Sequence, residues 1–124
     1  MKEFEHPYVV GMVGCRVGSK KNLLLKKRFE AAFKKARLPF AYLLLETEAK
    51  HLKNLLECMT LMDVIGVNLS ASLEISALKY IKNIDKTAKT AKKINIIAKK
   101  GKSFVGYYFK NDLIKRSLAL WKYW

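Results

Sequence analysis

YVVGMVGCRVGSKKNLLLKKRFEAAFKKARLPFAYLLL, residues 8 to 45, decides the fold. It opens with YVVGMVG (8 to 14), a short β-branched apolar run that closes on Gly14 and reads as a strand buried on both faces. CRVGSKKN follows, with Gly18 and Ser19 as punctuation, and Ser19 stands where a helix N-cap is needed. Beyond it Leu25, Phe29, Ala32, Phe33 and Ala36 recur at three- and four-residue steps. Lys26, Lys27, Lys34 and Lys35 fall largely on the other faces, so the segment is an amphipathic helix. Pro39 ends it, and FAYLLL (40 to 45) is a second strand. Strand, helix and strand in that order predict a parallel βαβ unit.

The rest of the chain continues the alternation. Thr47 is placed to cap a helix carrying Leu52, Leu55, Leu56 and Met59, and VIGVNLS (64 to 70) is a third strand. From Ser72 the spacing of Ile75, Leu78 and Ile81 predicts a helix, and a shorter one follows Asp85 as N-cap. KINIIAK (93 to 99) reads as a strand, KKGK as a turn, and SFVGYYF (103 to 109) as an antiparallel return. Asn111 or Asp112 then caps a last helix with Leu113, Ile114, Leu118 and Trp121. The expected class is α/β: one three-layer domain over residues 1–124, with a mostly parallel sheet, helices on both faces and one antiparallel strand near the C-terminus.

Composition narrows the function. The chain has 124 residues, 51% of them hydrophobic, which suits one packed domain rather than a disordered segment. Cys15 and Cys58 form neither a disulfide framework nor a zinc spacing, and His6 and His51 stand far apart, so no metal site is expected. Cys15, just after a strand, is expected to be a buried thiol. MKEFEHPYVV lacks a signal h-region, and no apolar run approaches the roughly 18 residues of a membrane span. A reduced, cytoplasmic protein without membrane attachment is the expectation. Lys plus Arg number 25 against 10 Asp plus Glu, a net charge of +15, which raises nucleic acid as a partner. Against that reading, the lysines between Lys79 and Lys102 are spaced mostly at three or four residues, as on a solvated helix face. Arginine is scarce, and no aromatic stacking motif interleaves the lysines.

The stretch GVNLSASLEISALKYIKNIDKTAKTAKKIN, from Gly66 to Asn95, resembles the substrate domain of the shikimate dehydrogenase family. That domain carries G-F-N-V-T-x-P-x-K, a helix, L-D-x-x-D-x-x-A and then G-A-V-N-T. Gly66 and Asn68 match, Ser70 stands for the threonine, Asp85 and Ala88 match the second helix start, and Asn95 matches the last asparagine, all without a gap. YVVGMVGCRVGSKK is similar to the family's first strand and G-x-P-x-x-H-S-x-S-P loop, with Ser19 on its first serine. GKSFVGYYFKND sits where the family has G-x-x-x-G-x-N-T-D.

The resemblance implies a shikimate site built from Ser19, Asn68, Ser70 and Asn95, with a small carboxylate as ligand. It also implies that the catalytic pair is not intact. The family lysine is replaced by Glu74, and the family aspartate falls near Lys110, or nearer Asp112 if a small insertion is allowed. A reversed Glu74–Lys110 ion pair would more naturally be structural than catalytic. Ser19 has a competing role as helix cap, and the asparagines could satisfy loop backbone groups instead. Family enzymes add a Rossmann unit with a G-x-G-x-x-G/A loop for NADP, a spacing that this chain's six glycines never take. No cofactor is therefore expected on this chain. The implied role is a stand-alone substrate-binding or protein-interaction module, inactive by itself. The alternatives are the substrate half of a split NADP-dependent dehydrogenase with a separate Rossmann chain, and a basic nucleic-acid binder. The ending SLALWKYW places Trp121, Tyr123 and Trp124 together, to fold back on the core or to cover a homodimer contact.

Overall fold

The structure, a computed structural model, describes residues 7 to 123. In chain order it forms β1 (Tyr8–Gly14), α1 (Lys20–Ala36), β2 (Phe40–Glu46), a 3-10 turn (Ala49–His51), α2 (Leu52–Met59) and β3 (Val64–Leu69). Two more 3-10 turns (Ala71–Leu73, Ser76–Lys79) lead to β4 (Asn83–Ile84), α3 (Lys86–Ala91), β5 (Ile96–Lys100), β6 (Ser103–Tyr107) and α4 (Leu113–Trp121). The strands make one mixed sheet in the order β2-β1-β3-β5-β6-β4. β1 pairs in parallel with both β2 and β3, and β4 with β6, while β5 is antiparallel to both its neighbours. β6 thus returns against β5 as its sequence suggests, and β5 is the one strand that opposes the rest.

Local chemistry explains the boundaries. The Ser19 hydroxyl accepts the Asn22 amide at 3.2 Å and starts α1, and the Asp85 carboxylate accepts the Thr87 amide at 2.9 Å and starts α3. The C-terminus of α1 closes through Arg37 in the left-handed region (φ 56°), whose N–H reaches back to Lys34 and Phe33 carbonyls. Other expectations fail. Thr47 caps nothing: its hydroxyl donates to the Glu48 carbonyl, and Glu48 precedes a 3-10 turn without a side-chain cap. Asp112 does precede α4, but with left-handed backbone (φ 58°) and no capping bond.

The helix expected from Ser72 to Ile81 is absent. An α-helix would need the Glu74 carbonyl for Leu78 N–H, but that carbonyl accepts Ile94 N–H at 2.9 Å, and Leu78 N–H turns to Ile75 instead. The buried residues are Leu73, Ala77 and Ile81, whereas Ile75 is 68% exposed, so the stripe assumed from Ile75 is not the inward face. β4, two residues long, has no periodicity by which to announce itself.

The sheet separates two cores. Under α2, the 3-10 turns and α3 the contacts are aliphatic, with Leu52, Leu73 and Ala88 over Val13, Val67 and Ile97. Under α1 and α4 they are aromatic: Phe29 stacks on Tyr42 (centroids 4.4 Å apart) and on Trp121 (5.7 Å). Trp121 has no exposed surface, and its indole N–H donates to the Ile97 carbonyl at 3.1 Å. Gly66 lies directly beneath. A Cβ there would collide with the indole Nε1 and Cδ1 and come within 2.6 Å of the Ile97 carbonyl oxygen. Of the three terminal aromatics, Trp121 folds back on the core, Tyr123 is exposed with Lys122 Nζ 5.2 Å from its ring centre, and Trp124 lies outside the described residues.

Candidate functional site

Because β1, β2, β3, β4 and β6 point one way, their C-terminal ends share one edge, and β5 begins there. Ligands of open α/β sheets bind in the crevice outside such an edge. Here it gathers the loop after Gly14, the segment from Ser70 to Glu74, Lys93 with Asn95, and the chain beyond Tyr107.

Ser70 follows β3, with its N–H on the Val13 carbonyl at 2.9 Å. Its hydroxyl lies 3.1 Å from that of Ser72. Ser70 sits over the end of β1, where Gly14 makes room: a Cβ there would stand 2.6 Å from Ser70 Cβ and 3.0 Å from Val17 Cγ1. The loop from Cys15 to Gly18 therefore borders Ser70, and Ser19 follows it as the exposed cap of α1.

Glu74 and Lys93 form the charged part. Lys93 Nζ stands 4.0 Å from Glu74 Oε1 and 4.8 Å from the centre of the Tyr108 ring. Glu74 is half-buried; desolvation raises its carboxyl above the usual carboxylate range, and the Lys93 charge partly offsets that. The ion pair expected between Glu74 and Lys110 is thus corrected: the partner is Lys93, and Lys110 is exposed on the bend after β6.

The two asparagines have well-defined structural partners. Asn95 faces Phe109 as a second backbone would, accepting Phe109 N–H at 3.0 Å and donating to its carbonyl at 2.8 Å. Asn68 is fully enclosed on the α4 side of the sheet, accepting the Tyr42 hydroxyl at 2.8 Å and donating to Ser117 Oγ at 2.9 Å. Burial pushes the Tyr42 phenol far up, so it stays protonated and donates. Neither amide is directed at open solvent.

A second anchor fixes the same loop. Asp85 accepts both the amide and the hydroxyl of Thr87, which holds its carboxyl below the usual range. Thr87 Oγ1 in turn accepts Tyr108 N–H at 3.0 Å. Thr87 and Asn95 therefore clamp Tyr108 and Phe109 from two sides and set the ring that Lys93 covers.

Sequence reading missed Lys93, Ser72 and Tyr108. The signal for Lys93 was its place two residues before Asn95, hidden among neighbouring lysines. Cys15 is exposed, as is Cys58, contrary to the buried thiol expected; the loop after Gly14 turns outward under Arg16 in the left-handed region (φ 56°). His51 ends an exposed 3-10 turn, and His6 lies outside the described residues. Among the described residues no helix is long and apolar enough to cross a membrane. Chemically, the edge offers two hydroxyls and an ammonium to a carboxylate, and one carboxylate to a hydroxyl.

No protein-family model matches the chain. It is 30% identical over 77 residues to the shikimate dehydrogenase (NADP(+)) of Dehalococcoides mccartyi strain BAV1, covering 62% of this chain and 27% of that enzyme. Against the shikimate dehydrogenase (NADP(+)) of Streptococcus sanguinis SK36 it is 33% identical over 76 residues, 61% of this chain and 27% of the relative. A crystal structure of a shikimate dehydrogenase with NADP+ superposes at TM-score 0.75 with 25% identity, over 82% of this chain and 34% of that one. A 5-ketofructose reductase from Gluconobacter sp. strain CHM43 shares the fold equally well, at TM-score 0.75 and 17% identity, over 84% of this chain and 36% of that one. The chain is similar to shikimate dehydrogenases in sequence and fold, over about a quarter to a third of their length.

Proposed function

We propose that this chain is a substrate-binding unit of the shikimate dehydrogenase type, which takes a small hydroxy-carboxylate at the C-terminal edge of its sheet and does not oxidise it unaided. The convergence of Ser70, Ser72, Glu74 and Lys93 at that edge carries the reading. Lys93 and the serine hydroxyls, with Ser19 at the rim, meet the ligand carboxylate, and Glu74 accepts from a ligand hydroxyl. Asn68 and Asn95 act from behind: Asn95 fixes the loop that carries Tyr108, and Asn68 fixes β3 against α4. A carboxylate at Glu74, where the family has a lysine, cannot start as the proton-bearing cation that such chemistry uses.

Amide NMR with shikimate as probe tests this. Shifts confined to residues 70–74, 93–95 and 107–109, saturating in the millimolar range, are expected, along with their loss in Lys93→Ala. Absence of shifts at this edge, or equal shifts in Lys93→Ala, refutes it. The chain with shikimate and NADP+ should produce no NADPH; turnover abolished by Glu74→Ala would overturn the claim of inactivity.

A second reading is the substrate half of a two-chain dehydrogenase. The chain spans about a third of the length of the similar enzymes of known structure, and its glycines lack the dinucleotide spacing. NADPH production on addition of a separate Rossmann-domain chain would favour it.

A further inference from the structure

At the opposite edge, where β4 and β6 begin, a cavity of about 590 Å³ opens against one face of α2. Lys53, Lys79, Lys82 and Lys102 line it, with Glu57 the only acid. These lysines come from three separate segments: α2, the approach to β4, and the turn between β5 and β6. They therefore converge through the fold, unlike a run of lysines along one solvated helix face. All four are exposed, and among the described residues none is in an ion pair. Most of the lining surface between them is apolar, with Tyr80 and Phe104 contributing rings. The volume falls in the range of small-molecule sites, roughly 300 to 1,000 Å³.

We infer that this cavity binds a small multiply charged anion with an apolar body, of the phosphate-monoester class. Four ammonium groups without carboxylate partners repel one another, and an anion placed among them relieves that repulsion while accepting charge-assisted hydrogen bonds. A phosphate monoester carries close to two charges at neutral pH and three acceptor oxygens, enough for several lysines at once. The rings of Tyr80 and Phe104 suit the ester's apolar part, which a free inorganic ion lacks. This site is separate from the sheet edge that holds Ser70 and Lys93.

The probe is 1-naphthyl phosphate, titrated into the full chain by fluorescence and amide NMR, with inorganic phosphate and 1-naphthol as controls. Naphthyl phosphate is expected to bind about tenfold tighter than either control, to shift amides of residues 79–83 and 102–104, and to weaken as salt rises. The Lys82→Ala/Lys102→Ala pair, exposed and outside both cores, should keep the wild-type melting temperature and lose about fivefold or more in affinity. Unchanged affinity in that variant, or 1-naphthol binding as tightly as its phosphate, overturns the anionic site. Inorganic phosphate matching the ester overturns the apolar half. A duplex oligonucleotide that shifts the same amides and displaces the probe at lower concentration would show instead that the lysines serve a nucleic acid.

Discussion

Gly66→Ala measures how closely the last helix sits on the sheet. The added methyl would overlap the Trp121 indole at Nε1 and Cδ1 and stand 2.6 Å from the Ile97 carbonyl oxygen. The ring is boxed in by Phe29 and Tyr42 and held by its hydrogen bond, so it cannot simply rotate away. Overpacking of this kind costs about 1–3 kcal/mol, and the backbone oxygen among the clashing atoms points to the upper part of that range. Trp121→Phe shortens the ring and removes the indole hydrogen bond to the Ile97 carbonyl, a loss of about 1 kcal/mol for the bond before any cavity is counted. The two changes share one space, so the double variant should be more stable than the sum of the singles by about 1 kcal/mol or more. Urea unfolding of the wild type, both singles and the double would give all four free energies. A Gly66→Ala cost below about 0.5 kcal/mol, or strict additivity, would refute the packing argument.

Asn68→Leu, which strands the Tyr42 hydroxyl and Ser117 Oγ, should destabilise by about 2–4 kcal/mol in the same unfolding assay. Asp85→Ala removes the α3 cap and should cost about 1 kcal/mol at pH 7. The Asp85 carboxyl titrates lower in the folded chain than in the unfolded one, so its contribution is present above about pH 4 and is lost as pH falls through the folded value; melting temperatures of wild type and Asp85→Ala should converge there. Glu74 has the opposite sign. Its folded value is raised, so its contribution is full below about pH 4 and is lost as pH climbs through the raised value. Glu74→Gln should therefore melt no lower than wild type at pH 7, and any advantage should shrink in acid.

Much of this architecture is legible in the residues because it is written in long periodic segments. α1 shows its face through Phe29 and Phe33, and β1, β2 and β3 show theirs as apolar runs between Gly and Pro punctuation. Ser19 and Asp85 are legible as caps because capping is local chemistry. The segment from Ser72 to Ile84 is not, since its course depends on a bond from Ile94 to the Glu74 carbonyl, twenty residues apart in sequence. The site has the same character. Asn68 and Asn95 stand out as residues, but only the folded chain shows their amides engaged with Tyr42, Ser117 and Phe109. Lys93 is one lysine among many until Glu74 and Tyr108 are brought beside it.

The reversed strand β5 divides the sheet into two leaves. β2, β1 and β3 form one from the first 69 residues, and β5, β6 and β4 form the other from residues 83 to 107. Along the seam Gly66, Val67 and Asn68 pair with Ala98, Ile97 and Ile96, and Leu69 N–H adds a bond to the Asn95 carbonyl at 3.0 Å. α4, arriving last, lies across that seam: Trp121 sits on Gly66 in one leaf and bonds Ile97 in the other, while Ser117 bonds Asn68. The final helix thus works as a rivet. A change at Trp121 or Ser117 therefore loosens the hold on both leaves at once, because each side chain reaches the sheet at its seam.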